Sequence, residues 1–553
     1  MEATGHSNSP IKTLARLALI VMAMCFFLYI QFRVQIGNGF STLYGDSYDS
    51  AIVVAILEHW SNVFRGSSQW SQLYYFYPYK NTLAQTDGYF LIGIIYSIIR
   101  QFGLDPFISS EFSNMTVRAI GYLGFYWMIR SVFRVGYGWA IFSAGLFLIA
   151  NNLTVHGTRV QLATLAFAPF VAVLLNKAYT SLMARRRLSL LGWGSGAGAA
   201  LGAWAITCFY ITWFFLFFAL VLSVVLYVSA SATQRSALLE VVKEQRLALL
   251  AIAMVAVVSM LPLLSVYLPK AAESGVRPYE SALNFAVTLP GILQVGETNV
   301  MFGHAYTRFL AWAQPGYQPM GEYYNTGVAP ILFVFFCLAV VTSYARRQGG
   351  SVNRLVWSVA VATIITWLCV IKVGTFSLWY LVYHTVPGAK ALNVIGAYQI
   401  FLIFPILVVV TLYLEKWMPR FSSVTLILIG IVLVVEELND AYIVLDRQAE
   451  VEKITGLVGA PQQCSFFYVS SWGDQVTPTA KIYAHNVSAM IIAELLRMPT
   501  INGFASFNPP DWNFANPDSD DYDNRMRSYA YSHQINRVCK LDLPSKQWQL
   551  IVP

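Results

Sequence analysis

The sequence predicts a mainly α, polytopic transmembrane helical bundle of about eleven spans, with juxtamembrane helices in the first external loop and a small C-terminal α/β external domain. Three observations carry this. Hydrophobic residues make up 57% of the 553 and charged residues 12%, with a mean hydropathy of +0.54; an ordinary soluble domain is about 25% charged, so that class is excluded. Apolar runs long enough to cross hydrocarbon recur through residues 1–440, and the basic residues sit in the short connections between them. From residue 441 to 553 the chain turns polar, carrying most of the late Asp, Asn and Pro. The formal charge of +8 therefore reads as a set of orientation signals and not as a nucleic-acid surface.

The elements follow in order. The run 14–34, beside Lys12 and Arg16 and without a small-residue cleavage site, reads as a retained first span with its N-terminus inside. It delivers residues 35–110 to the far side. Within that loop, Ile52, Val53, Ile56, Leu57, Trp60 and Phe64 recur at helical spacing, predicting a helix over 51–65 that lies on the membrane interface. The run 89–102 is too short to cross and predicts a second juxtamembrane helix. Further spans are expected at about 112–129, 138–150 and 162–179, then as a tight pair across Cys208–Ile211, then at 247–268. After a long external loop, 269–325, the last four fall at about 327–344, 355–373, 396–414 and 424–438. This threading puts Arg185, Arg186, Arg187, Lys243, Arg246, Arg346 and Arg347 in the cytoplasm and the C-terminus outside. Cys25, Cys208, Cys337 and Cys369 fall within apolar spans; Cys464 and Cys539 lie in the polar tail, where one disulfide between them is the economical pairing.

Polar residues from three external loops are candidates to converge. The first loop offers Tyr44-Gly45-Asp46-Ser47-Tyr48-Asp49-Ser50, with Glu58 and Asp87 further on; the second offers His156 and Arg159; the third offers Arg277, Glu280, His304, Arg308 and Glu322. Two carboxylates three residues apart at a membrane boundary are costly unless water, a partner or substrate compensates them. The plainer reading of Asp49 is a cap for the following helix, a role that Asp46 has no obvious reason to play. Sugar transfer from a lipid phosphate would use such a set. A carboxylate takes the proton of an acceptor hydroxyl, and Arg, Lys or His meets the charge on the leaving phosphate. Asp46 as base with Arg159, His156 or Arg277 as phosphate partners satisfies both demands. The plainer alternatives are a packing role for His156, a guanidinium of Arg159 reaching to headgroups, and pairing of Glu280 and Glu322 with Arg277 and Lys270. The run Asp518, Asp520, Asp521, Asp523 lacks the spacing of a calcium loop, and no zinc, P-loop or dinucleotide pattern is present.

Taken together, Gly45-Asp46-Ser47-Tyr48-Asp49, the two short helices after it, Tyr77-Pro78 before Asp87, His156 at a span end and Val386-Pro387-Gly388 before a late span resemble the GT-C superfamily of polytopic glycosyltransferases. The tail segments Pro499-Thr500-Ile501-Asn502-Gly503-Phe504 and Asn508-Pro509-Pro510-Asp511-Trp512 are similar to those of bacterial members. The resemblance implies an inverting transferase in the bacterial inner membrane with its active site facing outward. The donor would be a polyprenyl-phosphate-linked sugar and the acceptor a glycan, lipid or protein, in contact with membrane lipids and no nucleic acid. It implies Asp46 as catalytic base, with Asp49 beside it; the loop residues themselves offer a substrate-binding set of Asp87, His156, Arg159, Arg277, Glu280, Glu322 and Lys390. No cofactor is required, with a divalent cation left open and no metal ligands assigned. Where members often carry arginines after the Pro-Gly, this chain has Lys390, Asn393 and Ala397. The rival expectations are a lipid-linked glycan transporter or flippase and a non-catalytic glycolipid-binding protein.

Overall fold

The computed structural model describes residues 10–552 apart from Thr158, Val276, Met320, Glu322, 348–349, 441–443, Val458, 470–477, 506–507 and Asp518. Every run read as a span is helical: Pro10–Gln31, Pro106–Val132, Tyr137–Ile149, Ala168–Met183, Arg187–Thr207, Phe209–Ser229, Arg246–Ser274, Pro330–Arg346, Ser351–Val370, Tyr398–Trp417 and Ser423–Glu436. Among the described residues, six helices are long and apolar enough to cross a membrane. Pro330–Arg346 and Ser423–Glu436 are shorter apolar helices.

Helix Tyr398–Trp417 is the central post, buried along nearly its whole length. Its Phe401 and Phe404 meet Phe125, Phe147, Phe215 and Phe218 from neighbouring helices. Helix Arg246–Ser274 is the opposite case, exposing Leu247, Leu250, Met254, Val257 and Leu261 along its length. An aliphatic face of that extent is a liability in water and at home in hydrocarbon. Its inner side lies on Arg187–Thr207 along a seam of small residues. A Cβ on Gly194, Gly198 or Gly202 would come within 2.4 Å of Ile252, 3.1 Å of Ala256 or 2.5 Å of the Ser259 carbonyl oxygen. Residues four apart with no side chain let two backbones touch, which is how helices associate where no hydrophobic effect drives them together.

The two short helices of the first loop are present as Asp49–Phe64 and Phe90–Arg100. The first does not lie on an interface with one face free. Residues 53–62 are all buried, because helix Pro478–Leu496 of the tail packs over the side that the periodicity left polar. Glu494 makes the joint: its backbone oxygen accepts from Asn62 Nδ2 at 2.8 Å and its Oε1 accepts the Tyr74 amide at 2.9 Å. Glu58, also on that side, is buried against Arg100 at 2.8 Å and Tyr96 at 2.6 Å.

The tail forms a three-stranded sheet in the order Phe466–Val469, Val538–Asp542, Gln547–Val552, parallel then antiparallel, with helices Pro478–Leu496 and Tyr522–Ser532. Its strand Val444–Asp446 pairs antiparallel with Thr42–Tyr44 of the first loop, Leu445 facing Leu43. The two regions share one hydrophobic core in which Val54, Leu57, Tyr75 and Phe76 meet Phe467, Ile491 and Trp512. Cys464 and Cys539 are bonded, as the sequence suggested, across a separation of 75 residues. Closing a loop of that length stabilises by about 4 kcal/mol in the chain-entropy description. Cys464→Ser with Cys539→Ser is expected to lower the unfolding temperature of the purified protein clearly. An unchanged melting curve would mean that the shared core alone holds the tail.

Candidate active site

The loop carrying Asp46 is held from both ends. Strand Thr42–Tyr44 is pinned to the tail, helix Asp49–Phe64 follows, and Ser47 Oγ donates to Glu450 of the tail at 2.7 Å. Asp46, two residues ahead of the N-cap Tyr48, takes up amides at the start of that helix. Its Oδ1 accepts the Tyr48 amide at 3.0 Å and the Ser50 amide at 3.1 Å, while its own amide donates to Ser50 Oγ at 3.2 Å. Helix N-terminal amides need an acceptor, and a carboxylate placed two to four residues before them supplies one. Among the described residues no hydrogen bond reaches Oδ2. Burial raises the Asp46 carboxyl above its ordinary value of 3.8; the two amide bonds and Arg159 pull it back down, and Asp49 pushes it up.

Asp49, the expected cap, instead faces sideways from the first helical turn. Its Oδ2 receives Arg159 Nη2 at 2.7 Å and Nε at 2.8 Å, and Arg159 Nη1 donates to the Tyr323 hydroxyl at 2.7 Å. The guanidinium also lies 5.4 Å from the Tyr323 ring centroid. Arg159 thus ties together the three loops that carry the candidate residues, through Asp49 and Tyr323. His156 stacks on Tyr323, centroids 4.3 Å apart, with Nε2 at 3.0 Å from Asn325 Oδ1. Burial, and then the Arg159 charge, lower its pKa to about 3 against a smaller lift from Asn325. Both influences disfavour the charged imidazolium that a phosphate partner would need.

A second group lies beyond Tyr89, which is within electrostatic reach of Asp87, Asp49 and Arg159. Asp87 sits at the N-terminus of Phe209–Ser229, its Oδ1 accepting the Phe209 amide at 3.4 Å, and burial pushes its carboxyl up to about 6. Arg277 and Asp87 both act on Tyr210, whose hydroxyl accepts the Asn393 amide at 2.8 Å. The Arg277 carbonyl accepts the Tyr383 hydroxyl at 2.6 Å, and Lys390 lies exposed 5.7 Å from the same ring. Tyr383 therefore touches the backbone of Arg277 and lies under the ammonium of Lys390. Glu280 is exposed at the start of Tyr279–Asn284, and Lys270 pairs with Glu273 at 2.7 Å instead of with it. Glu322 lies outside the described residues. Among those described, no three His, Cys, Asp or Glu side chains are grouped so as to hold a metal ion.

Beside the Asp87 segment is an open apolar groove of about 1100 Å³, lined among others by Trp60, Phe64, Phe90, Ile206, Leu261 and Leu268. Its wall meets the polar segment directly. Trp60 Nε1 donates to the Gly88 carbonyl at 2.6 Å, and the Tyr267 hydroxyl, next to Leu268, donates to the Thr86 carbonyl at 2.6 Å.

Tyr323, Asn325, Tyr89, Tyr210 and Glu450 were not singled out from the sequence. Tyr323 and Asn325 adjoin Glu322, and an aromatic and an amide beside a loop carboxylate were the available signal. Nothing local marks Tyr89, held at a φ of 53°. No protein-family model matches the chain, and no curated protein matches its sequence.

Proposed function

We propose that this chain is an inverting membrane glycosyltransferase resembling the GT-C type, with about eleven spans, its N-terminus inside and the site facing outward. The donor is a polyprenyl-phosphate-linked sugar and the acceptor an extracytoplasmic glycan, lipid or protein; a bacterial inner membrane is its proposed location. The observation that carries this reading is the contact between an open, apolar groove and a polar segment bearing Asp87, from which Tyr89 leads to Asp49, Arg159 and Asp46. An amphiphile with a long apolar chain and an anionic head matches that sequence of environments.

In the proposed step the acceptor hydroxyl oxygen forms a bond to the anomeric carbon while the bond from that carbon to the phosphate oxygen breaks. The hydroxyl proton passes to Oδ2 of Asp46, and the electron pair leaves on the phosphate. Arg159, or Arg277 with Lys390, meets the charge developed there. The other oxygen of Asp46, held by two amides, fixes the direction in which the base points.

The test is consumption of labelled polyprenyl-phospho-hexoses and pentoses by the protein in nanodiscs, with a cell-envelope glycan extract as acceptor. Release of polyprenyl phosphate is expected, and no turnover across the panel would reject the reading. Because burial raises the carboxyl and only its ionised form accepts a proton, the rate should fall on the acid side with an apparent pKa above 3.8. A profile flat down to that value would remove Asp46 from the proton step.

A further inference from the structure

One feature of the long external connection takes no part in the site. Helix Gly303–Ala313 turns Gly303 and Leu310 inward, and the Tyr306 hydroxyl donates to the Pro290 carbonyl at 2.6 Å. The opposite side carries Ala305, Phe309 and Trp312 at the i, i+4, i+7 spacing of one stripe. Phe309 is 53% exposed and Trp312 78%, their rings 6.0 Å apart, with His304 and Arg308 exposed alongside. Single exposed apolar residues are ordinary, but a paired Phe and Trp beside an arginine make a stripe of the composition found where lipid headgroups meet acyl chains.

The level of this helix relative to the bundle is set by the chain just before it. The Val300 amide donates to the Leu438 carbonyl at 3.0 Å, Asn299 Nδ2 to the Glu436 carbonyl at 2.8 Å, and the Asp440 amide to the Thr298 carbonyl at 2.9 Å. These bonds grip the end of Ser423–Glu436, whose Val424, Ile427, Leu428 and Ile431 are exposed along the apolar body of that helix. Helix Gly303–Ala313 thus begins close to where an outward apolar face ends. Exposed Val300 and Leu289 extend the apolar surface at that height.

We infer that Gly303–Ala313 is an interfacial anchor whose Phe309 and Trp312 seat among the outer-leaflet lipids, with Arg308 at the phosphate level. This rests on the membrane-embedded reading of the chain. The anchored connection is the one that carries Tyr323 and Asn325, which touch Arg159 and His156, so the bilayer itself becomes a reference surface for that side of the site.

Nitroxide collision measurements test it in phosphatidylcholine–phosphatidylglycerol nanodiscs. Trp312→Cys is labelled in a chain also carrying Cys25→Ser and Cys337→Ser, which removes the two exposed native thiols. Leu428→Cys serves as the lipid-side reference and Tyr531→Cys, 87% exposed on the tail, as the aqueous one. The label at 312 is expected to collide with oxygen in preference to a water-soluble nickel chelate, its ratio lying between the two references and several-fold above that at 531. A ratio equal to that at 531 overturns the anchor while the label at 428 still reports lipid. An aqueous reading at 428 as well overturns the membrane-embedded reading on which the anchor depends. Trp312 is mostly exposed, so its replacement leaves the packing of the fold intact.

Discussion

Asp46→Asn should reduce sugar transfer by about 10²- to 10⁴-fold, the usual contribution of a positioned general base, without loss of folded protein. The geometry makes this substitution informative. Asparagine keeps an oxygen where Oδ1 accepts the Tyr48 and Ser50 amides, so the acceptor at the start of helix Asp49–Phe64 survives. It replaces Oδ2 with an amide nitrogen that cannot take up a proton. Asp46→Ala would remove base and amide acceptor together, adding a loss of about 1 kcal/mol in helix stability to any catalytic effect. Turnover of the purified Asn variant in nanodiscs, measured beside its melting curve, separates the two roles; wild-type turnover would refute the base assignment.

Arg159→Ala should raise the donor KM by about 10- to 100-fold, the range lost with a charge-assisted hydrogen bond, and disturb acceptor saturation far less. The guanidinium is already oriented by Asp49 along its Nε and Nη2 edge and by the Tyr323 hydroxyl at Nη1, so an arriving phosphate meets a positioned charge. A second effect follows from the same contacts. Arg159 pulls the Asp46 carboxyl down and Asp49 pushes it up, so removing the arginine leaves the second influence uncompensated. The acid limb of the rate profile should therefore move to higher pH in this variant. Arg159→Lys keeps the charge but loses the fork, and should restore the profile better than the donor KM. Equal losses toward donor and acceptor would remove the phosphate role.

Much of the fold was legible because hydrocarbon imposes a length and a composition on whatever crosses it. Runs of apolar residues broken by arginines marked the helices, and the short run 89–102 forms the short apolar helix Phe90–Arg100. The pairing of Cys464 with Cys539 was legible from where the other cysteines fell. The covering of Asp49–Phe64 was not. Its polar stripe, with Glu58, His59 and Asn62, looks on paper like a face turned to water; His59 and Asn62 are buried against Glu494 of the tail, and Glu58 against Arg100 and Tyr96 of the next helix.

The candidate site divides in the same way. Residue types alone put Asp46, Asp49, Asp87, Arg159 and Arg277 in the connections between apolar runs, since charges are excluded from hydrocarbon. Which carboxylate takes up the helix amides and which pairs could not be read, because both lie ahead of the same helix and the choice depends on Arg159, which is 110 residues from Asp49 in the chain. The lowered pKa of His156 is likewise a consequence of its burial beside that arginine. What the sequence determined by itself was where the chain is apolar and where it is charged, which is a matter of local composition. Only the tertiary structure decided which charges meet, because that depends on contacts between segments far apart in the chain.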